Sequence, residues 1–79
     1  MVRKEIESMV AEVVCDELGL QTCEMTDNLK EDLGADSLDA VEILIGCEKA
    51  FDIYISQDVF DNHSFETVGD IADFVEKQL

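Results

Sequence analysis

Apolar side chains in this sequence recur at the spacing of a helix and almost never at that of a strand. No other feature constrains the fold as much. Val2, Ile6, Met9, Val10 and Val13 fall on one face of a helix over about 2–17. Val68, Ile71, Ala72, Val75 and Leu79, with Phe74 beside them, form a second such face. Thr67 is placed to cap that last helix, and Asp70 three residues on makes a variant of the capping box. Gly19 suits the left-handed cap that closes the first helix. Between these two, a helix opens at Asp36 and reaches Ala50 or Phe51, after a loop over about 21–35 with room for a turn at 29–33. Only Asp52-Ile53-Tyr54-Ile55 alternates, and a lone strand would have no partner, so it reads as an extended connector. Ser56 can then cap a short helical turn reaching Phe60. The expected fold is all-α, a small bundle of three main helices plus one short helix. Proline is absent and the four glycines sit singly, so no linker or repeat interrupts the chain and residues 1–79 read as a single domain.

Charge narrows the partners. Twenty Asp and Glu face five Lys and Arg, a formal net charge of -15. Yet 47% of the residues are apolar, which separates the chain from a disordered acidic tail. DNA and RNA are held by cations that neutralise phosphates, and five scattered cations do not supply that grip. Anionic membrane surfaces are disfavoured for the same reason. The longest apolar run, Ile43-Leu44-Ile45-Gly46-Cys47, is too short to span a bilayer, so no membrane insertion is expected. The opening residues lack the basic and apolar regions of a secretory signal. Cys15, Cys23 and Cys47 are odd in number and form no C-x-x-C pair, which suits free thiols and a cytoplasmic location. Cys15 lies on the polar side of the first helix, with no evident role beyond dimerisation by oxidation. Macromolecular partners should be basic.

The helix opening at Asp36 has two apolar stripes on a wheel of 100° per residue. Ala40, Ile43, Leu44, Cys47 and Phe51 make one; Leu38, Val41 and Ile45 lie roughly opposite, beside Glu42, Glu48 and Lys49. A central helix burying both faces is one reading. The other is an exposed apolar strip with an acidic border, shaped for docking a protein; the cost of burying the bordering carboxylates favours it.

Asp36 stands as N-cap of this helix and Ser37 at its first position. Ser and Asp abound at helix starts because their oxygens accept orphan backbone N–H groups, so a purely structural role is open. A functional role is open too: a phosphate on Ser37 would meet free N–H groups and the positive end of the helix dipole. A nucleophilic serine would need an adjacent base. The lone histidine, His63, reads as a surface residue of a polar loop with nothing to place it near Ser37, so no catalytic residue is assigned.

The stretch Leu33-Gly34-Ala35-Asp36-Ser37-Leu38-Asp39-Ala40-Val41-Glu42 resembles the signature of acyl carrier proteins, L-G-x-D-S-L-D-x-V-E. The likeness continues through Glu48, Phe51-Asp52-Ile53, Ile55 and Thr67-Val68-Gly69-Asp70-Ile71. It implies that Ser37 receives 4'-phosphopantetheine from coenzyme A through a magnesium-using phosphopantetheinyl transferase. Acyl chains then ride as thioesters on the arm, and the chain is a carrier for fatty acid synthesis enzymes, not an enzyme, with no metal of its own. The resemblance also implies docking of basic patches on Asp36, Asp39, Glu42 and Glu48, with Leu38, Val41 and Ile45 as the apolar contacts between them. Val10, Val13, Phe51, Ile55, Phe65, Ile71 and Val75 should form an interior that an acyl chain can enter. A free-standing chain opening on Met suggests a monomeric, dissociated bacterial-type carrier; an organelle protein after processing and a carrier for a polyketide or other specialised pathway stay open. The sequence departs from the family at Ser56, where proline is usual, and at Tyr54, Gly46 and Cys47. Two unrelated readings are weaker. A calcium loop around Glu24, Asp27, Glu31 and Asp32 lacks the twelve-residue ligand pattern, and an acidic mimic of nucleic acid does not require Asp36-Ser37-Leu38.

Overall fold

A computed structural model describes residues 1–62 and 65–79; the expected loop position of His63 lies outside them. Among the described residues four helices follow in order: α1 (Arg3–Leu18), α2 (Ser37–Phe51), α3 (Gln57–Asn62) and α4 (Val68–Gln78). Among the described residues there is no strand, only an isolated antiparallel bridge between Asn28 and Thr67.

Each long helix ends where its caps dictate. Gly19 closes α1 in the left-handed conformation at φ 70°. Thr67 accepts from the Asp70 amide at 3.1 Å, and Asp70 accepts from the amides of Glu66 and Thr67 at 3.0 and 3.1 Å. Those backbone donors, Thr67 first, hold the Asp70 carboxyl below the usual carboxylate range. The start of α1 is weaker: Val2 has no side-chain acceptor, so only Glu5 reaches back to the Val2 amide, at 3.2 Å. Ser56 opens α3 through its carbonyl, which accepts from Val59 and Phe60 at 3.1 and 3.3 Å, and α3 runs two residues past the expected end.

The core gathers one face from each long helix: Ile6, Val10 and Val14; Ile43, Leu44, Cys47 and Phe51; Val68, Ile71, Ala72 and Val75. Ile55 of the connector, Leu29 and Ala35 complete it, while Tyr54 points outward as the alternation predicts. Three expectations need correction. Val14, not Val13, continues the i, i+4 line from Ile6 and Val10 into the core, and Val13 is half-buried at its flank. Val2 and Leu79 are 63% and 53% exposed because they are the cap residues of α1 and α4, beyond the turns that face the interior. Phe65 is half-buried and stacks at a tilt on Phe74, ring centres 5.5 Å apart.

Helix α1 packs against both α2 and α4, whereas α2 and α4 make no comparable backbone approach. Gly46 lies at the α1–α2 contact: a Cβ there would sit 2.7 Å from Val13 Cγ1. A glycine that looks costly within a helix is therefore what lets the two helices close. Arg3 ties α1 to α4 by ion pairs to Asp73 and Glu76 at 2.7 and 2.9 Å and pairs within α1 with Glu7 at 2.9 Å, and hydrogen bonds to Glu7 and then Asp73 raise its pKa further.

The long loop is ordered by α4. The Leu29 amide donates to Glu66 O at 2.8 Å, Val68 to Asp27 O at 3.2 Å and Gly69 to Met25 O at 2.8 Å. Asn28 organises the expected turn, its Oδ1 accepting from Lys30 and Glu31 at 3.0 and 2.8 Å. Cys15 is not isolated on its polar face: its Sγ lies 3.6 Å from that of Cys23 at the start of this loop.

Candidate functional site

The chain reaches Ser37 through a sequence of fixed steps. Gly34 takes φ +74°, where a side chain would strain the backbone. Ala35 is buried, and its amide donates to Leu29 O at 2.8 Å. Asp36 is extended, and its Oδ1 accepts from the Asp39 amide at 2.9 Å while Asp39 Oδ2 accepts from the Asp36 amide at 3.1 Å. This reciprocal box satisfies the third amide of α2, and the fourth, Ala40, donates to Asp36 O at 3.1 Å. The amides of Ser37 and Leu38 have no acceptor among the described residues, and the exposed Ser37 hydroxyl makes no hydrogen bond to them. The cap thus leaves two donors at the positive end of the helix dipole. Sequence reasoning placed Asp36 as the cap but missed Asp39 as its reciprocal partner, although the three-residue spacing signals it.

Beside Ser37 lies a cleft of about 830 Å³, lined by Leu29, Ala35, Ala40 and Phe65 together with polar atoms of Asn28 and Glu66. It opens between the first turn of α2 and the loop segments 28–35 and 65–66. An exposed hydroxyl, two unclaimed amides and an adjoining half-apolar groove fit a phosphodiester-linked arm.

The second stripe of α2 is not buried. Leu38 and Ile45 are 64% and 39% exposed, and Val41 is half-buried. A shallow cleft of about 380 Å³ joins this strip to α3, lined by Val41, Ile45, Glu48, Gln57, Phe60 and Asp61. The contribution of α3 was not legible in the sequence, where Phe60 lies in a turn with no periodic signal. Glu42 is exposed. Glu48 is half-buried, and its Oε2 accepts from the Ile55 amide at 2.8 Å, holding the connector. Glu17 of α1 also joins this surface: a hydrogen bond with Glu42, then burial and the charges of Glu42, Asp39 and Asp16, push its carboxyl up. Among the described residues, no group of three or more His, Cys, Asp or Glu is placed to hold a metal ion. No helix there is long and apolar enough to cross a membrane.

This site defines a class: a small helical domain with an exposed serine at a helix start beside two unclaimed amides and a cleft. The family model for the phosphopantetheine attachment site matches residues 9–75. An acyl carrier protein of Amoebophilus asiaticus is 40% identical over 77 residues, covering 95% of this chain and 94% of that protein. An acyl carrier protein of Porphyromonas gingivalis is 40% identical over 95% of this chain and 96% of its own. One from Thermotoga maritima is 38% identical over 98% and 95%. The chain belongs to the acyl carrier protein family. It is accordingly a carrier and not a catalyst, and its cofactor is a covalently attached 4'-phosphopantetheine.

Proposed function

We propose that Ser37 is the attachment residue, and that residues 1–79 act as one carrier domain that delivers growing acyl chains to cytoplasmic fatty acid synthesis enzymes. The observation that supports this most is the exposed Ser37 hydroxyl beside the two unclaimed amides of α2. In the transfer, Ser37 Oγ bonds to the phosphorus of coenzyme A nearest its pantetheine, the bond from that phosphorus to the adenosine 3',5'-bisphosphate breaks, and the serine proton passes to a base of the transferase. The Ser37 and Leu38 amides would hold the phosphate of the arm, at a helix start where an anion is favoured. The arm supplies a terminal thiol for thioester formation.

The strip Leu38, Val41 and Ile45, with the α3 cleft beside it, is the docking surface for these enzymes. Asp36, Asp39 and Glu48 each spend one oxygen on a backbone amide and keep the other for a basic partner. Their geometry is therefore fixed before a partner arrives. An exposed ion pair contributes only about 0–1 kcal/mol, so the acidic field chiefly steers encounter and permits fast release. The cleft at the first turn of α2, lined by Leu29 and Ala35, gives an acyl chain a route inward without parting α1 from α2 or α4.

Incubation with coenzyme A, magnesium and a phosphopantetheinyl transferase tests the attachment: intact mass should rise by one arm in the wild-type chain and not in Ser37→Ala. An arm retained by Ser37→Ala would refute the assignment. Acceptance of the loaded chain by polyketide enzymes but not fatty acid synthesis enzymes would overturn the pathway and leave Ser37 standing.

A further inference from the structure

We propose that Cys15 and Cys23 are an oxidation site, a pair of thiols that closes to an intramolecular disulfide when a peroxide or a small-molecule disulfide reaches them. The two Sγ atoms are 3.6 Å apart, so closure to a bond of about 2.05 Å asks for an approach of roughly 1.5 Å. The fold sets up this contact. Cys15 lies in the last turns of α1, Gly19 turns the chain back in the left-handed conformation, and the Leu20 amide donates to Cys15 O at 2.9 Å. Cys23 is thereby folded onto the helix, its Sγ also 3.8 Å from Ala11 O.

Neither thiol is sealed. Both are half-buried and line a cleft of about 270 Å³ beside Ser8, Glu12 and Thr22, roomy enough for a peroxide. Cys47, by contrast, is fully enclosed in the core. Burial, then contact with Cys15, pushes the Cys23 thiol up to about 12, which disfavours its thiolate and makes Cys23 the poorer attacking sulfur. With a peroxide, the Cys15 thiolate takes one oxygen, the O–O bond breaks, and the departing hydroxide is protonated to water. The Cys23 sulfur then attacks the Cys15 sulfur, the S–O bond breaks, and the Cys23 proton leaves with that oxygen as a second water. Two thiols and one peroxide give one disulfide and two waters, the sulfurs losing the two electrons that the peroxide gains.

Two consequences separate this pair from a chance surface thiol. Sulfurs already in contact have an effective concentration in the millimolar range or above, so the product is a monomer even at micromolar protein. The acidic surroundings repel anionic reagents, so a cationic disulfide such as cystamine should react faster than glutathione disulfide. The crosslink fastens the start of the loop to α1 and does not involve Ser37, so it stands or falls apart from the attachment reading.

The test treats the full chain with hydrogen peroxide, cystamine or glutathione disulfide, alkylates free thiols without denaturing, and measures intact mass. The expected product is a monomer about 2 Da lighter, two hydrogens removed, at a rate independent of protein concentration. A protease cutting after acidic residues separates Cys15 from Cys23 at Asp16 or Glu17, so peptides joined through these two cysteines identify the bond. Cys23→Ser should stall at a Cys15 sulfenic acid that a carbon nucleophile traps, and Cys15→Ser should oxidise more slowly. A disulfide-linked dimer as the main product, a bond to Cys47, or both thiols still alkylated after oxidant would overturn the proposal.

Discussion

Replacing Gly46 by alanine sets two opposed effects of similar size against each other. In a helix interior alanine is better than glycine by about 1 kcal/mol. Against this, the added Cβ would lie 2.7 Å from Val13 Cγ1, far inside the contact distance of about 3.5–4.0 Å between carbons. Val13 has no cheap way to yield, because a valine in a helix holds one χ1 rotamer about 90% of the time. Either Val13 leaves that rotamer or α1 and α2 separate, and overpacking of this kind costs about 1–3 kcal/mol. Subtracting the propensity gain leaves a net loss of roughly 0–2 kcal/mol. A loss of about 1 kcal/mol lowers the thermal midpoint of a domain this size by about 4–8 °C. In a Val13→Ala background the clash disappears, and the same Gly46→Ala change should stabilise by about 1 kcal/mol. The assay is urea unfolding of the four proteins of this cycle followed by far-ultraviolet circular dichroism, with an expected coupling of about 1–3 kcal/mol. If Gly46→Ala stabilised equally with Val13 present and absent, the close helix contact would not be the reason for the glycine.

Glu17→Gln should raise the thermal midpoint at neutral pH. The folded state raises the Glu17 pKa, so stability linked to this group is present below the ordinary carboxylate range and lost as pH rises through the higher folded value; the mutant's advantage should vanish in acid, and a constant advantage would refute the coupling to Glu42. Asp70→Asn has the opposite sign. Its folded pKa is lowered, so its stability is present above the ordinary value and lost as pH falls through the lower one, and urea midpoints should show a loss of about 0.3–1 kcal/mol at neutral pH that closes in strong acid. Glu42→Lys should raise the thermal midpoint by pairing with Glu17 while lowering kcat/KM of partner enzymes several-fold, a split that steady-state kinetics and thermal melts read separately.

The boundaries of the long helices were legible because caps are local. Gly19, Asp36 and the Thr67–Asp70 pair announce themselves within four residues of the turn they end. The Ser37 environment was half legible for the same reason: Asp36, Ser37 and Leu38 are neighbours in sequence, but the cleft beside them is built from Leu29 and Phe65, which only the folded chain brings near. Choosing Val13 over Val14 was an error of about one residue's rotation on a helix that faces two others. Gly46 looked like a defect because its reason lies on α1. The Cys15–Cys23 contact depends on the left-handed turn at Gly19, and the Glu17–Glu42 pair on the packing of two helices. Pattern within a segment predicts what that segment becomes; it is silent about which side chains meet across space.

The backbone bonds from Met25, Asp27 and Leu29 to the start of α4 bear on the order in which the molecule forms. Their partners lie some forty residues further along the chain, so the loop that leads to Ser37, although local bonds close its turn over 28–35, is not anchored to the bundle until α4 has docked. Closing so wide a span of chain costs more entropy than closing a turn, so these bonds are expected to form after the local turns. Hydrogen exchange at Leu29 and Val68 should then report a single shared opening. A chain emerging from the ribosome would present its serine before that serine had a frame, and the frame would arrive only with the final helix.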